Sequence, residues 1–294
     1  MRIKSSVNEK IFTVFNYALM TALMFITAYP FVYVAFGSVS DPIEMMHLRG
    51  LLLFPKGFQL DAYRIVLENP MIITAYTNTI INVTLGTAIN IFMTSIGAYC
   101  LSRKHFLIRN YIMFIITFTM FFSGGLIPSF LLMQRIGLYN TRWVLLLPGA
   151  ISAWNLIIMC TSFMGIPDSL EESAKLDGAR ELTILFRIVI PLSMPVVAVM
   201  ILFYGVSHWN SWFSAMVYIR RRDLYPLQLL LRDILIGSAQ LDMMTDVSDS
   251  TMRPGMEILF RYATIIVATL PILAMYPFMQ KYFVKGVMIG AIKA

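Results

Sequence analysis

The chain has 294 residues, of which 58% are hydrophobic and 13% are charged, and its mean hydropathy is +0.73. Soluble globular proteins carry about 25% charged residues, so this composition excludes a soluble globule and predicts that most of the chain lies in a bilayer. The formal net charge of +7 would suggest nucleic-acid binding in a soluble protein. Here the basic residues lie between long apolar runs, which indicates orientation in a membrane and no nucleic-acid partner.

Six segments are long and apolar enough for helices that cross a bilayer, which requires about 20 residues. In chain order they cover residues 11–37, 78–101, 110–133, 143–164, 192–219 and 262–284. The first follows a basic N-terminus as a signal sequence does, but it is too long for one and no small-residue cleavage site ends it. We therefore predict an all-α integral membrane protein with six transmembrane helices, forming a single domain over residues 1–294.

The basic residues predict the orientation of these helices. The short loop after the second span contains Arg103, Lys104 and Arg109 and no acidic residue, and both chain ends are also basic. Cytoplasmic loops of membrane proteins carry such an excess. Both termini are therefore predicted to be cytoplasmic, with a C-terminal tail over residues 285–294.

Two long segments fall on the outer side in this orientation. Residues 38–77 contain three prolines and predict a short helix near 61–67, and residues 220–261 predict a small helical cap. Either segment is consistent with contact to an external partner or with a plain connector.

The inner loop over residues 165–191 has the pattern of a short capped helix, a turn and a second helix. Asp168 is a good N-cap, and Glu171, three residues later, completes a capping box. Gly178 can adopt the left-handed conformation found just past a helix end, and a second helix is predicted from about Arg180.

This amphipathic element suits either a cleft on a soluble partner or the surface of the bilayer. Its acidic residues outnumber its basic ones, so an anionic leaflet would repel it. The acids are Asp168, Glu171, Glu172, Asp177 and Glu181, and the basic residues are Lys175, Arg180 and Arg187. A protein partner is therefore the favoured interpretation.

The same loop carries a family motif. It reads Glu172-Ser173-Ala174, three residues, Gly178, nine residues, Ile188, one residue, Ile190-Pro191. This order resembles the EAA loop of permease subunits of ABC importers, with Ser173 for the usual Ala and Ile190 for a common Leu. In that family the loop is the coupling helix, which binds in a groove of the cytoplasmic ATPase subunit. The resemblance implies the type I ABC importer permease fold and assigns coupling to Glu172, Ala174, Asp177, Gly178 and Pro191.

Other stretches are similar to carbohydrate permeases of the maltose-system type. They are residues 78–80, which open the second span, and 127–148 in the hairpin of spans three and four. Residues 122–125 and 155–159 resemble the polysaccharide and oligosaccharide branch of these permeases. Residues 280–294 resemble the tail that reaches the ATPase dimer, which implies ATPase contacts for Lys285, Gly286 and Gly290.

The chain shows no sign of chemistry of its own. It has no Gly-Lys dipeptide and so no phosphate-binding Walker loop, and His47, His105 and His208 lack metal-ligand spacing. Cys100 and Cys160 lie in apolar segments and predict small buried side chains. We therefore predict no enzyme activity, no metal and no cofactor on this chain. The resemblance places ATP and Mg on the partner ATPase subunits.

The fifth span carries an unusual set of polar groups. Tyr204 and His208 share one helix face at 100° per residue, and Ser211 lies near that face. Polar groups are costly inside a membrane unless they face a cavity or a neighbouring helix. The predicted translocation-cavity residues are Asn82, Tyr204, His208, Asn210 and Ser211, with Asn90 and Asn155 as additions. The alternatives are bonds between helices or an interfacial aromatic belt around Trp209 and Trp212.

These features predict a permease subunit of a bacterial ABC importer in the cytoplasmic membrane, which moves an oligosaccharide or polysaccharide inward by alternating access. The resemblance implies three partners: a homologous second permease, a dimer of ATPase subunits and a substrate-binding protein. It allows acidic, uronate-type glycans, with which Arg220, Arg221 and Arg222 are compatible. The rival is a secondary transporter driven by an ion gradient. Such a transporter would need paired carboxylates in the spans, which clearly contain none.

Overall fold

The structure, a computed structural model, describes residues 6–244 and 255–291, and the secondary structure within them is helical. The first eight helices are α1 Val7–Ser38, α2 Pro42–Met46, α3 Asp61–Glu68, α4 Pro70–Ser102, α5 Arg109–Phe121, α6 Leu126–Arg135, α7 Trp143–Leu146 and α8 Ala153–Met164. The others are α9 Asp168–Leu176, α10 Glu181–Ile184, α11 Ile190–Leu192, α12 Met194–Trp209, α13 Phe213–Tyr218, α14 Leu227–Met244 and α15 Met256–Ala291. A π-helical turn covers Leu185–Val189, and a 3-10 turn covers Arg222–Leu224.

Three helical stretches are long and apolar enough to cross a membrane: α1, α4 and Met256–Met275 within α15. Two further candidates are bent pairs. The axes of α5 and α6 meet at 115°, and the segment Glu181–Leu192 meets α12 at 89°. The described residues therefore contain three candidate spans, or five if each bent pair counts as one. The fourth predicted span is interrupted, because 147–152 is not helical and α8 has only 12 residues. Six spans remain a prediction.

The chain divides into two compact units, of which the first comprises Met1–Asn69 and Ile234–Thr269. In this unit α1 begins with a capping box, because Ser6 and Glu9 exchange hydrogen bonds of 2.7 and 3.3 Å. Most of α1 is exposed, as expected for a helix that needs lipid or another protein around it. The short helix predicted near 61–67 is confirmed as α3. The predicted cap over 220–261 contains α14, but its residues 245–254 lie outside the described part.

The second unit comprises Pro70–Asp233 and Leu270–Ala294. Its main core is formed by side chains of α4, α8, the π-helical turn and α12, with Phe163, Ile184, Leu185 and Met200 fully buried. The two cysteines are free. Cys160 is buried in this core as predicted, but Cys100 is exposed, so the prediction of burial was wrong for that residue.

A glycine allows the close approach of α4 and α12. A Cβ added to Gly86 would lie 2.4 Å from Nε2 of His208, a distance that real Cβ atoms do not show. Small residues at such crossings let membrane helices pack closely. Gly86 therefore sets the position of the His208 ring in the second unit.

Candidate functional site

The acidic segment between α8 and α12 folds as two helical arms joined by a tight turn. The first arm is α9, and the second begins at Glu181 with α10. Gly178 lies in the turn with φ of +78°, and an added Cβ would meet no atom within 4 Å. Residues with a side chain adopt this left-handed region at a cost. Glycine is thus required by backbone conformation, as predicted for this helix end.

The capping box predicted for α9 is wrong. Pro167 occupies the N-cap position, and no side chain caps the helix. Both predicted carboxylates instead face the basic loop after α4. Asp168 accepts a hydrogen bond from Nζ of Lys104 at 2.7 Å, and Glu171 forms an ion pair with Arg103. A charge-assisted bond is strong where water is excluded, so the covered Glu171–Arg103 pair is the one that connects α9 to this loop.

Arg103 is the centre of the contacts at this end of the unit. Its guanidinium pairs with Glu171, its Nε donates to Oγ of Ser102 at 3.0 Å, and its Nη2 lies 3.5 Å from the carbonyl of Phe163 in α8. Its Cζ also lies 4.7 Å from the centroid of the Tyr99 ring, a cation–π contact. Burial lowers the pKa of Arg103 from its ordinary value, but a guanidinium stays protonated in proteins.

The second arm is held through Glu181. The Tyr99 hydroxyl donates to this carboxylate, and Nζ of Lys175 lies 2.8 Å from it. Because Lys175 belongs to α9 and Glu181 to α10, their ion pair closes the turn at Gly178. The Tyr99 hydroxyl then ties the closed turn to α4. After the role predicted for this loop, we use the name coupling cluster for Tyr99, Arg103, Glu171, Lys175 and Glu181.

A more exposed ion pair lies beside the coupling cluster. The side chains of Lys104 and Asp168 are 75% and 54% exposed, against 17% and 8% for Arg103 and Glu171. The hydrogen bond and charge of Lys104 lower the pKa of the Asp168 carboxyl. Water and salt screen a pair of this kind, so it stabilises little.

The predicted coupling residues lie on two sides of this element. Ala174 is half-buried and packs against the main core, whereas Glu172, Asp177 and Gly178 are exposed. Leu176, at the end of α9, is 89% exposed.

A pocket of about 490 Å³ lies between the end of α4 and the two arms. The whole coupling cluster lines it, together with the exposed thiol-bearing Cys100 and with Leu182 of the second arm. The thiol of Cys100 thus lies close to where α4 meets α9.

The second arm continues into α12 through a sharp bend. Pro191 lies in α11, next to the bend of 89°. Ser193 in the bend is buried, and its N–H bonds to the carbonyls of Val189 and Ile190 at 3.0 and 3.1 Å. π-helical turns and bends of this kind are frequent at functional sites. Motion of the second arm would reach α12 through this bend.

A second polar region of the same unit is a cleft of about 550 Å³, which we call the polar cleft. Its hydrogen-bonding side chains are Asn90, Ser129, Ser152, Asn155, Tyr204, Ser207, His208, Ser211, Ser214 and Tyr218. No Asp, Glu, Lys or Arg is among the described residues that line it. The cleft therefore offers hydroxyl, amide and imidazole groups against apolar walls.

His208 is fixed in the polar cleft by Asn90. The amide nitrogen of Asn90 donates to the carbonyls of Gly149 and Ala150 at 2.6 and 2.9 Å, so its amide oxygen is left as an acceptor. This oxygen lies 2.7 Å from Nε2 of His208. The network thus assigns the proton to Nε2 and leaves Nδ1 as an acceptor.

Tyr204 joins three elements at the polar cleft. Its hydroxyl is bonded to Oγ1 of Thr94 in α4 at 2.8 Å and accepts the N–H of Ser152 at 3.2 Å. The carbonyls of Gly149 and Ala150 and the N–H of Ser152 belong to the stretch before α8 that is not helical. Unpaired backbone at membrane depth is tolerated where protein covers it or where it lines a cavity. Side chains of α4 and α12 meet this requirement here.

The structure brings three of the five predicted cavity residues together: Tyr204, His208 and Ser211 line the polar cleft. The other two do not line it. Asn82 is buried and accepts a hydrogen bond from Nη1 of Arg142 at 3.2 Å, and Asn210 is an exposed residue at the C-cap of α12. The two suggested additions, Asn90 and Asn155, do line the cleft.

The predicted ATPase contacts of the tail lie at the end of α15. The backbone of this helix continues to Ala291, so Lys285, Gly286 and Gly290 are helical. Their side chains, and residues 292–294, lie outside the described part of the chain.

The family follows from comparison with known proteins. Residues 91–289 match the model of the binding-protein-dependent transport system inner membrane component family. The chain belongs to this family. The family predicted from the inner loop is thereby confirmed.

Relatives match along nearly the whole permease. The polygalacturonan/rhamnogalacturonan transport system permease protein YtcP of Bacillus subtilis (strain 168) is 40% identical over 97% of this chain and 99% of its own length. Protein LplC of the same organism is also 40% identical, over 97% and 95%. A chain in the crystal structure of a bacterial ABC transporter involved in the import of the acidic polysaccharide alginate is 33% identical, with a TM-score of 0.87 over 96% of this chain and 99% of that one.

Sequence reasoning missed the part that Arg103 and Tyr99 play. Arg103 was predicted only as one basic residue of a cytoplasmic loop, and Tyr99 only as part of an apolar span. The sequence carried one signal: the loop after the second span is basic and the segment over 165–191 is acidic, so ion pairs between them were chemically possible. Which residues would form them depended on the packing of α9 against α4.

Proposed function

We propose that this permease is one membrane subunit of an ATP-driven importer of oligosaccharides or polysaccharides in the bacterial cytoplasmic membrane. The observation that carries the proposal is the α9 element, whose exposed acidic surface belongs to the EAA-like motif and whose inner face is fastened to α4 by the coupling cluster. The membership in a binding-protein-dependent transport family supports a substrate-binding protein as a partner.

The partners would be a homologous second permease and a dimer of ATPase subunits, which hold ATP and Mg. In this scheme α9 binds in a groove of one ATPase subunit through Leu176, Glu172 and Asp177. When the ATPase dimer closes, α9 moves, and the coupling cluster and the bend before α12 pass the motion to the spans. The cavity then alternates between outward and inward access.

The proposed topology has six spans and two cytoplasmic termini. It is supported by contact between the loop after α4 and α9, since two inner loops of a chain that crosses the bilayer back and forth lie at the same end. The basic residues of the loop after α4 favour the cytoplasmic side. The tail contacts of Lys285, Gly286 and Gly290 with the ATPase dimer belong to the same proposal.

The polar cleft is the proposed sugar-facing wall of the translocation path. Its serine hydroxyls, the Asn155 amide and Nδ1 of His208 offer donors and acceptors to sugar hydroxyls, and Tyr204 and Tyr218 offer aromatic surface. A second permease would provide the opposite wall.

Acidic glycans are the proposed substrates. Two similar proteins support this class: the 40% identical Bacillus permease is named for polygalacturonan and rhamnogalacturonan, and the structurally similar transporter imports alginate. On this chain Arg142 supports it too. Its guanidinium is bonded to the amide oxygens of Asn78 and Asn82, and among the described residues no carboxylate pairs with it. Its positive charge is thus available to attract a uronate chain.

Transport driven by an ion gradient has no support from the spans. Helices α4, α5, α6, α8 and α12 contain no Asp or Glu that would carry a proton or bind sodium.

The experiment compares Gly178→Val with Gly137→Val in the complex reconstituted in liposomes with its binding protein. Both glycines have a similar φ, +78° and +75°, and neither has an atom within 4 Å of an added Cβ. The two substitutions therefore impose similar strain, but only Gly178 lies in the coupling turn. We expect sugar-stimulated ATP hydrolysis to be lost in Gly178→Val and retained in Gly137→Val. Full stimulation in Gly178→Val would contradict the coupling role of this loop.

The substrate class is tested by uptake of oligogalacturonate, oligoalginate and a neutral maltooligosaccharide of equal length. We expect uptake of an acidic oligomer to exceed that of the neutral one, and Arg142→Gln to reduce this preference. Preferred uptake of the neutral sugar would contradict the acidic class. Uptake that follows an ion gradient without ATP would contradict the ATP-driven mechanism.

A further inference from the structure

The cytoplasm-facing end of α4 carries an ion pair that is unusually well covered. The side chain of Glu171 is 8% exposed and that of Arg103 is 17% exposed, although both lie in short polar segments at the end of a helix bundle. Taking two charges out of water is costly, and a buried ion pair is weak evidence for stability. A role in fixing one relative arrangement of two elements accounts better for such a pair.

The geometry around Arg103 fits that role. Its planar guanidinium contacts Glu171 of α9 and the carbonyl of Phe163 in α8, while its Nε is bonded to Ser102. A guanidinium can hold several acceptors in fixed directions, whereas an ammonium on a flexible chain acts as a point charge. One side chain thus sets the positions of α4, α8 and α9 together.

The second arm is tied to the same end of α4 independently. The Tyr99 hydroxyl donates to Glu181, which also pairs with Lys175. Arg103 and Tyr99 are four residues apart and stack as a cation–π pair, so they present two adjacent attachment points on one face. Both arms, α9 and the segment that begins at Glu181, are therefore held to α4, and the second arm also continues along the chain into α12.

We infer that Arg103 and Glu171 are positioning residues that couple α9 to α4. Motion of α9 then reaches two helices at once: α12 through the bend, and α4 through this ion pair. Because α9 is connected to both α4 and α12, its motion moves these two helices together. Both helices contribute side chains to the polar cleft, so the cleft moves with them. The inference rests on the proposed function, in which α9 is the element moved by the ATPase.

The first test is charge reversal in the reconstituted complex. Arg103→Glu, Glu171→Arg and the double reversal are compared for oligogalacturonate transported per ATP hydrolysed. Each single reversal places like charges together and should lower this ratio by about tenfold, within the range seen for residues that carry coupling. The double reversal restores an attractive pair between α4 and α9 but not the bond from position 103 to the Phe163 carbonyl, so it should recover part of the loss. A double variant that transports less oligogalacturonate per ATP than either single variant would overturn the inference.

The neighbouring exposed pair is the matched control. Lys104→Asp, Asp168→Lys and their double reversal change charge on the same two elements, but at side chains that water already screens. These variants should transport as much oligogalacturonate per ATP hydrolysed as the wild type does. Equal losses at both pairs would show that charge in this region matters in general, and the specific role of Arg103 and Glu171 would be withdrawn.

A second readout does not depend on the sugar. Cys100 lines the pocket between α4 and α9, so in a Cys160→Ala background a water-soluble maleimide reports on this junction. If the ion pair holds α4 and α9 together, Cys100 in the protein with Arg103 and Glu171 intact should be labelled at the same rate without nucleotide and with ATP and vanadate. In Arg103→Met the rates should differ by severalfold, because α9 moves without α4. A rate in Arg103→Met that is insensitive to nucleotide would overturn the inference.

The failures are distinguishable. A wild-type complex that neither hydrolyses ATP nor retains ATPase subunits would remove the proposed function itself. A wild-type complex that couples normally, with single reversals that also couple normally, would leave the proposed function in place and remove only the role of this ion pair.

Discussion

The coupling cluster and the polar cleft both attach neighbouring elements to α4, but they do so by different chemistry. In the cluster, charged side chains of Arg103, Glu171, Lys175 and Glu181 pair across elements, and the central pair is mostly covered. In the cleft, neutral groups join α4, α12 and the stretch before α8 through bonds of 2.6 to 3.2 Å, and the described lining is uncharged.

The difference matches what each region would have to do. A covered ion pair is strong in one geometry and poor in others, because separating its partners leaves buried charge. It suits a joint that transmits motion. Neutral hydrogen bonds can be exchanged for bonds to water or to sugar hydroxyls at little cost. They suit a surface that changes its partners as a substrate passes.

The largest effect is expected at Gly86, where the His208 ring leaves no room for a side chain on α4. Gly86→Ala places a methyl group 2.4 Å from Nε2 of His208, so the ring must move and its bond to Asn90 is disturbed. Overpacking of this kind typically costs about 1–3 kcal/mol. We expect a clearly lower thermal midpoint of the purified complex and loss of transport. Gly205→Ala is the control, because its Cβ would lie at an ordinary 3.8 Å from Oγ1 of Thr87. Equal effects at the two glycines would contradict the assignment of close packing to Gly86.

The next effect concerns the backbone of the cleft. Asn90→Leu removes, from a fully buried position of α4, the donor for the carbonyls of Gly149 and Ala150 and the acceptor for His208. An unsatisfied buried polar group costs about 1–3 kcal/mol. The melting temperature should fall, and Asn210→Leu, at an exposed position of α12, should leave it nearly unchanged. Asn90→Leu with wild-type stability would show that these bonds do not support the stretch before α8.

A smaller effect is expected at Tyr204. Tyr204→Phe keeps the ring in the core but removes the hydroxyl that bonds to Thr94 and Ser152. Hydrogen bonds between membrane helices contribute about 0.6 kcal/mol on average. We expect a small drop in thermal midpoint and transport that is reduced rather than abolished. Abolished transport at a nearly unchanged thermal midpoint would contradict this prediction and would indicate that the hydroxyl contacts the substrate.

The smallest effect belongs to the exposed pair beside the coupling cluster. Lys104 lowers the pKa of Asp168, so the folded carboxyl titrates below its unfolded value of about 3.9. The pair therefore contributes stability above that value, and the contribution is lost as the pH falls through the lower, folded pKa. The small difference in melting temperature between wild type and Lys104→Met should vanish once the pH falls below the folded pKa, and it should shrink in high salt. A difference that persists at low pH would contradict an electrostatic origin.

The solvent, the helical class and the family could all be predicted from the amino-acid sequence. An apolar composition, long runs without charge and the spacing from Glu172 to Pro191 were enough, because hydropathy, glycine punctuation and motif spacing are properties of neighbouring residues. The helical arms on both sides of Gly178, and the shared face of Tyr204, His208 and Ser211, followed from the same local rules.

Which polar groups meet depends on how the helices pack. Asp168 and Glu171 had the spacing of a capping box, yet both pair with basic residues of the distant loop after α4. Asn82 and Asn210 had the composition of a cavity wall, but one binds Arg142 and the other is exposed. Cys100 looked buried in its apolar run and is exposed. The physical reason is the same in each case: a side chain takes the best partner or solvent that packing brings within reach, and local sequence does not specify which helix will be its neighbour.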